Sequence, residues 1–165
     1  MARRPEIRRR RRLSHLDASG AARMVDVSAK PVSVRTAVAR GRIRIAPAAM
    51  RLARSGRLKK GAVVEVARLA GILAAKRTAE AIPLCHPLAL SHVEVALTPR
   101  RDGFEIEARV RTEAKTGAEM EALHAVSVAA LTVYDMVKAA DKRMRITDVR
   151  LTEKTGGRSG AFRRR

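Results

Sequence analysis

The stretch HVEVALTPRRDGFEIEARV, His92 to Val110, decides the fold class. Val93, Val95 and Leu97 alternate with polar neighbours, Asp102-Gly103 interrupts the run, and Phe104, Ile106, Ala108 and Val110 resume it. Side chains two residues apart share a face of a strand, so the pattern predicts an antiparallel hairpin with one apolar face. That face needs a cover, and the flanking segments have helical periodicity. Between Gly61 and Ile82, Val63, Val66, Ala67, Ala70, Leu73 and Ala74 form one stripe, while Val64, Leu69, Ile72 and Ala75 spill round it. Such breadth implies burial on more than one side, with the sheet as one cover and a partner subunit a candidate for the other. Pro83 ends this helix.

A second long helix is predicted over roughly Gly117 to Ala140, with Met120, Leu123, Ala130, Val133 and Val137 as its core stripe. Upstream, MVDVSAK (Met24 to Lys30) reads as a short strand or extended segment, and Ile43 and Ile45 alternate with arginines after Gly41. Pro47 suits the first position of a helix running to about Ser55, where Gly56 stops it. A last strand covers about Arg145 to Leu151, and a bulge is expected in it because Ile146 and Val149 are out of step with a period of two. This order predicts an α+β domain, with helices on one face of a mainly antiparallel sheet, and specifically a ferredoxin-like sandwich.

The chain of 165 residues fits one domain, residues 13–162, between basic tails at 1–12 and 163–165. The only aromatics are Phe104, Tyr134 and Phe162, so the core must come from Ala, Val, Leu and Ile. Small side chains bury little area each, which favours association. A single cysteine, Cys85, excludes an internal disulfide and a multi-cysteine metal site. No apolar run approaches the roughly 20 residues of a membrane span, and no apolar segment follows the N-terminal arginines as in a secretory signal. The cytoplasm is the expected location.

The net charge of +20 invites a nucleic-acid reading. Residues 1–12 hold seven arginines against Glu6, and Arg163, Arg164 and Arg165 close the chain, so the body between them keeps +11. That surplus suits a triphosphate as well as a polynucleotide. The tails themselves read as solvated, disordered like-charge blocks.

Several residues stand out against this scaffold. Glu121, Asp135 and Lys138 interrupt the apolar stripe of the second long helix, and buried charges need partners or water. By itself, Asp135 with Lys138 reads equally as a helix salt bridge. Glu121 and Asp135 lie 14 residues apart, about 21 Å along a helix axis, so they cannot serve one small centre within a chain. Either the ligand is long or the site is shared between subunits. In PLCHP, two prolines brace Cys85 and His86; the histidine is as consistent with structure as with function. His15, His92 and His124 show no ligand spacing. Lys59 and Lys60 precede a helix start, where an anion is favoured. Lys154 with Gly156, Gly157, Arg158, Ser159 and Gly160 has the composition of a phosphate-cradling turn without the Walker arrangement.

Taken together and in order, MVDVSAK, KKG at Lys59, AGILAAKRT at Ala70, IPLCHPL at Ile82, KTGAEMEAL at Lys115, SVAALTVYDMVKA at Ser127 and KTGGRSG at Lys154 resemble the cyclic pyranopterin monophosphate synthase family, MoaC. The resemblance runs from about Leu13 to Phe162. It implies a ferredoxin-like subunit in a homohexamer, a trimer of dimers with active sites at subunit contacts, and no cofactor or metal. The implied reaction converts (8S)-3′,8-cyclo-7,8-dihydroguanosine 5′-triphosphate, a cyclic dihydro-GTP intermediate, into cyclic pyranopterin monophosphate and diphosphate. By the same resemblance Asp135 is the catalytic acid/base, with Lys138 and Lys60 beside it in catalysis. Leu84, Cys85, His86, Glu119, Met120, Glu121 and Lys154 are the implied substrate contacts. The arginine-rich extensions depart from the pattern and touch none of these positions. The alternative, a small basic RNA-binding protein, explains the tails but not the interior, because single-strand binders stack bases on exposed aromatics. Nucleic-acid binding is therefore expected only nonspecifically through the tails, and no membrane partner is expected.

Overall fold

The computed structural model describes residues 19–55, 62–158 and 160–164. The N-terminal tail and Lys60 therefore lie outside the described residues. The elements run β1 (Ser33–Arg44), α1 (Pro47–Arg54), α2 (Val63–Lys76), α3 (Thr78–Ala81), β2 (Leu90–Arg100), β3 (Gly103–Ala114), α4 (Glu119–Val137), β4 (Arg145–Thr155) and β5 (Phe162–Arg163). The sheet order is β2-β3-β1-β4-β5, and every neighbouring pair is antiparallel. β1 and β2 run parallel with β3 between them, the split arrangement of the ferredoxin-like sandwich. The expected α+β architecture is the observed one.

The hairpin that suggested it is present, with Arg100 paired to Gly103 across a two-residue turn. Its apolar residues, together with Ala37, Ala39 and Ile43 of β1, form the inner face against α2 and α4. α4 lies over β1, β3 and β4, and α2 packs beside it over β2. Helix and sheet approach closely because small residues meet: Ala122, Ala125, Ala129 and Ala130 of α4 are buried. A Cβ added at Gly41 would lie 2.6 Å from a methyl of Val126. Phe104 is the one buried aromatic.

Leucine behaves differently from the composition argument. Leu97 is the one buried leucine among the described residues, whereas Leu69, Leu73 and Leu131 are 61%, 53% and 57% exposed on the outer sides of α2 and α4. Val66 and Leu73 of the first stripe, and Met120 of the second, are likewise exposed. The inner interface takes alanine and valine because the helices sit too close for leucine, and the larger side chains face outward. Among the described residues α4 is also the one helix long and apolar enough to cross a membrane by length and composition, yet half of it is buried inside the fold. It is the core helix.

Three local details correct or extend the expectations. The segment predicted as one helix from Gly61 to Ile82 breaks at Arg77 (φ −116°, ψ 19°) into α2 and α3. The Thr78 hydroxyl lies 3.1 Å from both the Ala74 and Ala75 carbonyls, competing with the helical ladder there. MVDVSAK forms no strand; it is extended and then turns. The expected bulge in β4 is present: Arg40 pairs with Arg150 but Arg42 with Thr147, so three residues of β4 span two of β1. Asp148 absorbs the extra residue at φ 59°. A second shift, between Val38 and Ala39, brings Lys154 opposite Ala37 on the helix-covered face.

Candidate active site

The start of α4 gathers most of the singled-out residues. Ile82-Pro83-Leu84-Cys85 closes a turn, with the Cys85 N–H donating to the Ile82 carbonyl at 3.0 Å, and Pro83 at its second position suits that geometry. The turn sets Cys85 beside α4, where Glu121 is only 3% exposed and its Oε2 is buried without a hydrogen-bond partner among the described residues. Burial pushes the Glu121 carboxyl up to about 7, and the charge on Glu119 adds to the rise. Burial also raises the Cys85 thiol, helped by Glu121 and Glu119. Cys85 therefore stays a neutral thiol, suited to donating a hydrogen bond and unsuited to nucleophilic attack. A buried carboxyl that titrates near pH 7 can give a proton to a ligand atom or take one from it.

Glu119 faces the other way. Its Oε1 accepts from Lys154 Nζ at 2.9 Å and forms one wall of a cleft of about 830 Å³. Lys30, Arg35, Lys115, Lys154 and Arg158 supply five cations to the lining, against the single carboxylate of Glu119. Arg35 was not singled out from the sequence. Its guanidinium donates to the Ala114 and Lys115 carbonyls at 2.9 and 3.1 Å, tying the start of β1 to the loop before α4. Gly157, at φ 76°, lets the C-terminal turn lie directly on that guanidinium; a Cβ there would collide with it. The N-terminus of α4 opens on the same cleft and favours negative charge. Crowded cations repel unless an anion joins them, so the cleft is built for a polyanion.

Asp135 and Lys138 sit at the opposite end of α4. Their side chains are 55% and 53% exposed and joined by a 2.7 Å ion pair. The Asp135 carboxylate holds the Lys138 ammonium above its ordinary range, so the pair presents a cation and a carboxylate at a surface rather than in a pocket. The structure thus brings Cys85, Glu119, Glu121 and Lys154 together around one end of α4, with Leu84 and His86 on either side of Cys85 in the chain, and leaves Asp135 and Lys138 at the other. Met120 lies on α4 between Glu119 and Glu121 and is 37% exposed. Asp141, also not foreseen, has a structural role: its carboxylate accepts from the Ala46 and Arg143 amides, at 2.8 and 2.9 Å, fixing the start of α1. Among the described residues no three His, Cys, Asp or Glu side chains converge as a metal site would need.

The Glu121 environment makes a measurable prediction. A carboxyl whose folded value, about 7, lies above its ordinary 4.5 stabilises the fold fully below pH 4.5, and that stability is lost as pH rises through 7. The shift corresponds to about 3 kcal/mol lost by pH 9. Glu121→Gln, neutral at every pH, should lack this loss. Denaturant unfolding of the ligand-free proteins at pH 5 and pH 9 checks it; parallel profiles for the two proteins would mean that Glu121 is not held neutral.

A cationic cleft beside a buried carboxyl that titrates near neutrality, on a ferredoxin-like sandwich, defines a small α+β protein with the features of an acid/base enzyme for an anionic ligand. The chain belongs to the MoaC family, whose sequence model matches residues 24–157. It is 61% identical over 154 residues to the cyclic pyranopterin monophosphate synthase of Thermomicrobium roseum, covering 92% of this chain and 93% of that protein. The synthase of the same name from Dinoroseobacter shibae is 59% identical over 152 residues, 91% of this chain and 96% of the relative. That of Streptomyces griseus is 56% identical over 163 residues, 99% and 92% respectively.

Proposed function

We infer that this chain is a lyase of molybdenum cofactor biosynthesis that converts the cyclic dihydro-GTP intermediate into cyclic pyranopterin monophosphate and diphosphate. Beyond the family membership, the observation that supports this reading most is the joining of two unlike environments at Glu119. On one side lies the five-cation cleft, of a size and charge for a triphosphate; on the other lie Cys85, His86 and Glu121, of a kind to hold a purine-derived ring.

In this reading the ring chemistry runs on proton transfers. Opening the purine and closing the pterin moves protons on and off nitrogen and carbon, with Asp135 as acid/base and Lys138 as its charged partner. Forming the cyclic phosphate is an attack by a ribose oxygen on the α-phosphorus, with diphosphate as leaving group. Lys154, and Lys60 from outside the described residues, stabilise the charge that develops on the departing oxygens. Leu84 and Met120 flank the ring contacts. Since Asp135 and Lys154 lie at opposite ends of α4, the working site is composite, and Asp135 with Lys138 reaches the cleft of a neighbouring subunit. The outward leucines of α2 and α4 supply an apolar surface for that assembly, a hexamer built as a trimer of dimers. The cytoplasm is the proposed place of action.

Purified full-length protein given the cyclic dihydro-GTP intermediate is expected to release one diphosphate for each cyclic pyranopterin monophosphate formed, and none from GTP. Tight binding of the intermediate with no diphosphate release would overturn the reading.

A further inference from the structure

The segment Met24–Lys30 crosses the candidate site without forming an element of its own, and it is fastened at both ends of its path. His86 Nε2 lies 2.8 Å from the Val25 carbonyl oxygen, and Lys115 Nζ donates to the Ser28 carbonyl at 2.6 Å. Between these ties the segment is stiffened by its own turn. Asp26 Oδ1 accepts from the Ser28 N–H at 2.8 Å, and the Lys30 N–H donates to the Val27 carbonyl at 3.0 Å. The segment therefore straps the loop carrying Cys85 and His86 to the loop that leads into Glu119.

The first tie has a chemical consequence. A carbonyl oxygen only accepts, so Nε2 must carry the proton in that hydrogen bond. The neutral imidazole is then the Nε2–H tautomer, and Nδ1 keeps its lone pair. Nδ1 has no hydrogen-bond partner among the described residues. With Nε2 occupied by the backbone, any polar contact between the ring and a ligand falls to Nδ1, as an acceptor.

We propose that Met24–Lys30 is a positioning strap that, through the Val25 carbonyl, holds His86 by its Nε2–H and presents an unprotonated Nδ1 to an N–H donor of the substrate's base. The proposal rests on the functional reading above for the identity of that donor, but not for the tautomer. It assigns Val25 and the Asp26 turn a positioning role and His86 the role of acceptor. Because a hydrogen bond of this kind is made to the bound substrate before any bond changes, its loss should raise KM more than it lowers kcat.

Magic-angle-spinning ¹⁵N spectra of histidine-labelled full-length protein, without substrate and at a pH above the ordinary imidazole range, read the tautomer directly; His86→Gln identifies which signals belong to His86. A protonated Nε2 and a bare Nδ1 are expected, and a protonated Nδ1 overturns the proposal. Asp26→Ala, which removes the side-chain bond of the strap's turn and leaves its backbone bond from Lys30 to Val27, should move the His86 signals toward tautomer averaging and raise KM about tenfold, the scale of one hydrogen bond, with kcat within about twofold. Unchanged signals and KM in that variant overturn the strap. The two amide replacements separate the ring nitrogens: asparagine can keep an acceptor where Nδ1 lies, while glutamine can keep only the tie to Val25. His86→Asn should retain substrate binding better than His86→Gln, and the reverse order overturns the acceptor role. If the wild type released no diphosphate, the functional reading would fail while the ¹⁵N spectra still decided the tie.

Discussion

Asp135→Asn should lower kcat at least a hundredfold, the scale of a lost general acid/base, while the protein stays folded and assembled. The amide keeps the size and the polar surface of the carboxylate, so only the capacity to take up and return a proton is removed. The structural cost is small, because the side chain is 55% exposed and its ion pair with Lys138 is an i,i+3 surface pair, which solvent screens strongly. Substrate affinity should survive, since the amide keeps the shape of the carboxylate and the five cations of the cleft are untouched. Steady-state kinetics alongside a thermal melt separates the two effects. A near-normal kcat would take Asp135 out of the mechanism.

The second large effect is a recovery of activity on mixing. Lys154 is bonded to Glu119, and Glu119 precedes Asp135 by 16 residues on one unbroken helix, about 24 Å at 1.5 Å per residue. In the composite reading, the Asp135 that acts on the ring and the Lys154 that holds the phosphates of one substrate come from different chains. Chains carrying Asp135→Asn and chains carrying Lys154→Met should each be severely impaired alone, the second by loss of charge stabilisation on the leaving diphosphate. Mixed under conditions that exchange subunits, they should regain turnover well above the sum of the two parents. A site taking Asp135 from one chain and Lys154 from the next would then have both defects in some copies and neither in others. Were both residues drawn from the same chain, every site would keep one defect, and proven exchange without recovery would refute the composite site.

Much of this architecture was legible because it depends on local periodicity. The alternation from His92 to Val110 defined the hairpin, the out-of-step Ile146 and Val149 marked the bulge at Asp148, and Pro47 and Pro83 marked helix boundaries. Each is a statement about neighbours in sequence, where backbone sterics and side-chain direction act directly. The ordered motifs PLCHP, EME and YDM likewise named Cys85, His86, Glu119, Glu121 and Asp135 as a set.

Other features are set by contacts between residues distant in sequence. Nothing local distinguishes Arg35 from the other arginines; it lines the cleft because β1 pairs with β3 and so lies beside Lys115, 80 residues on. Val25 fixes His86 through a backbone carbonyl, a group every residue carries and no sequence reveals. The outward turn of Leu69, Leu73 and Leu131 depends on how closely α2 and α4 approach the sheet, which the small residues facing it set. By itself the sequence determined the hairpin, the approximate places of the long helices, the fold class and the residues able to do chemistry, since these follow from period and residue type; the full length of β1 (Ser33–Arg44), the break at Arg77 and the strand β5 did not. Only the tertiary structure decided which of those residues meet: it placed Glu121 in a buried setting that raises its carboxyl to about 7, gathered five cations into one cleft, and left Asp135 a helix length away. Burial and charge assembly depend on distances through space, which the packing of the helices on the sheet sets.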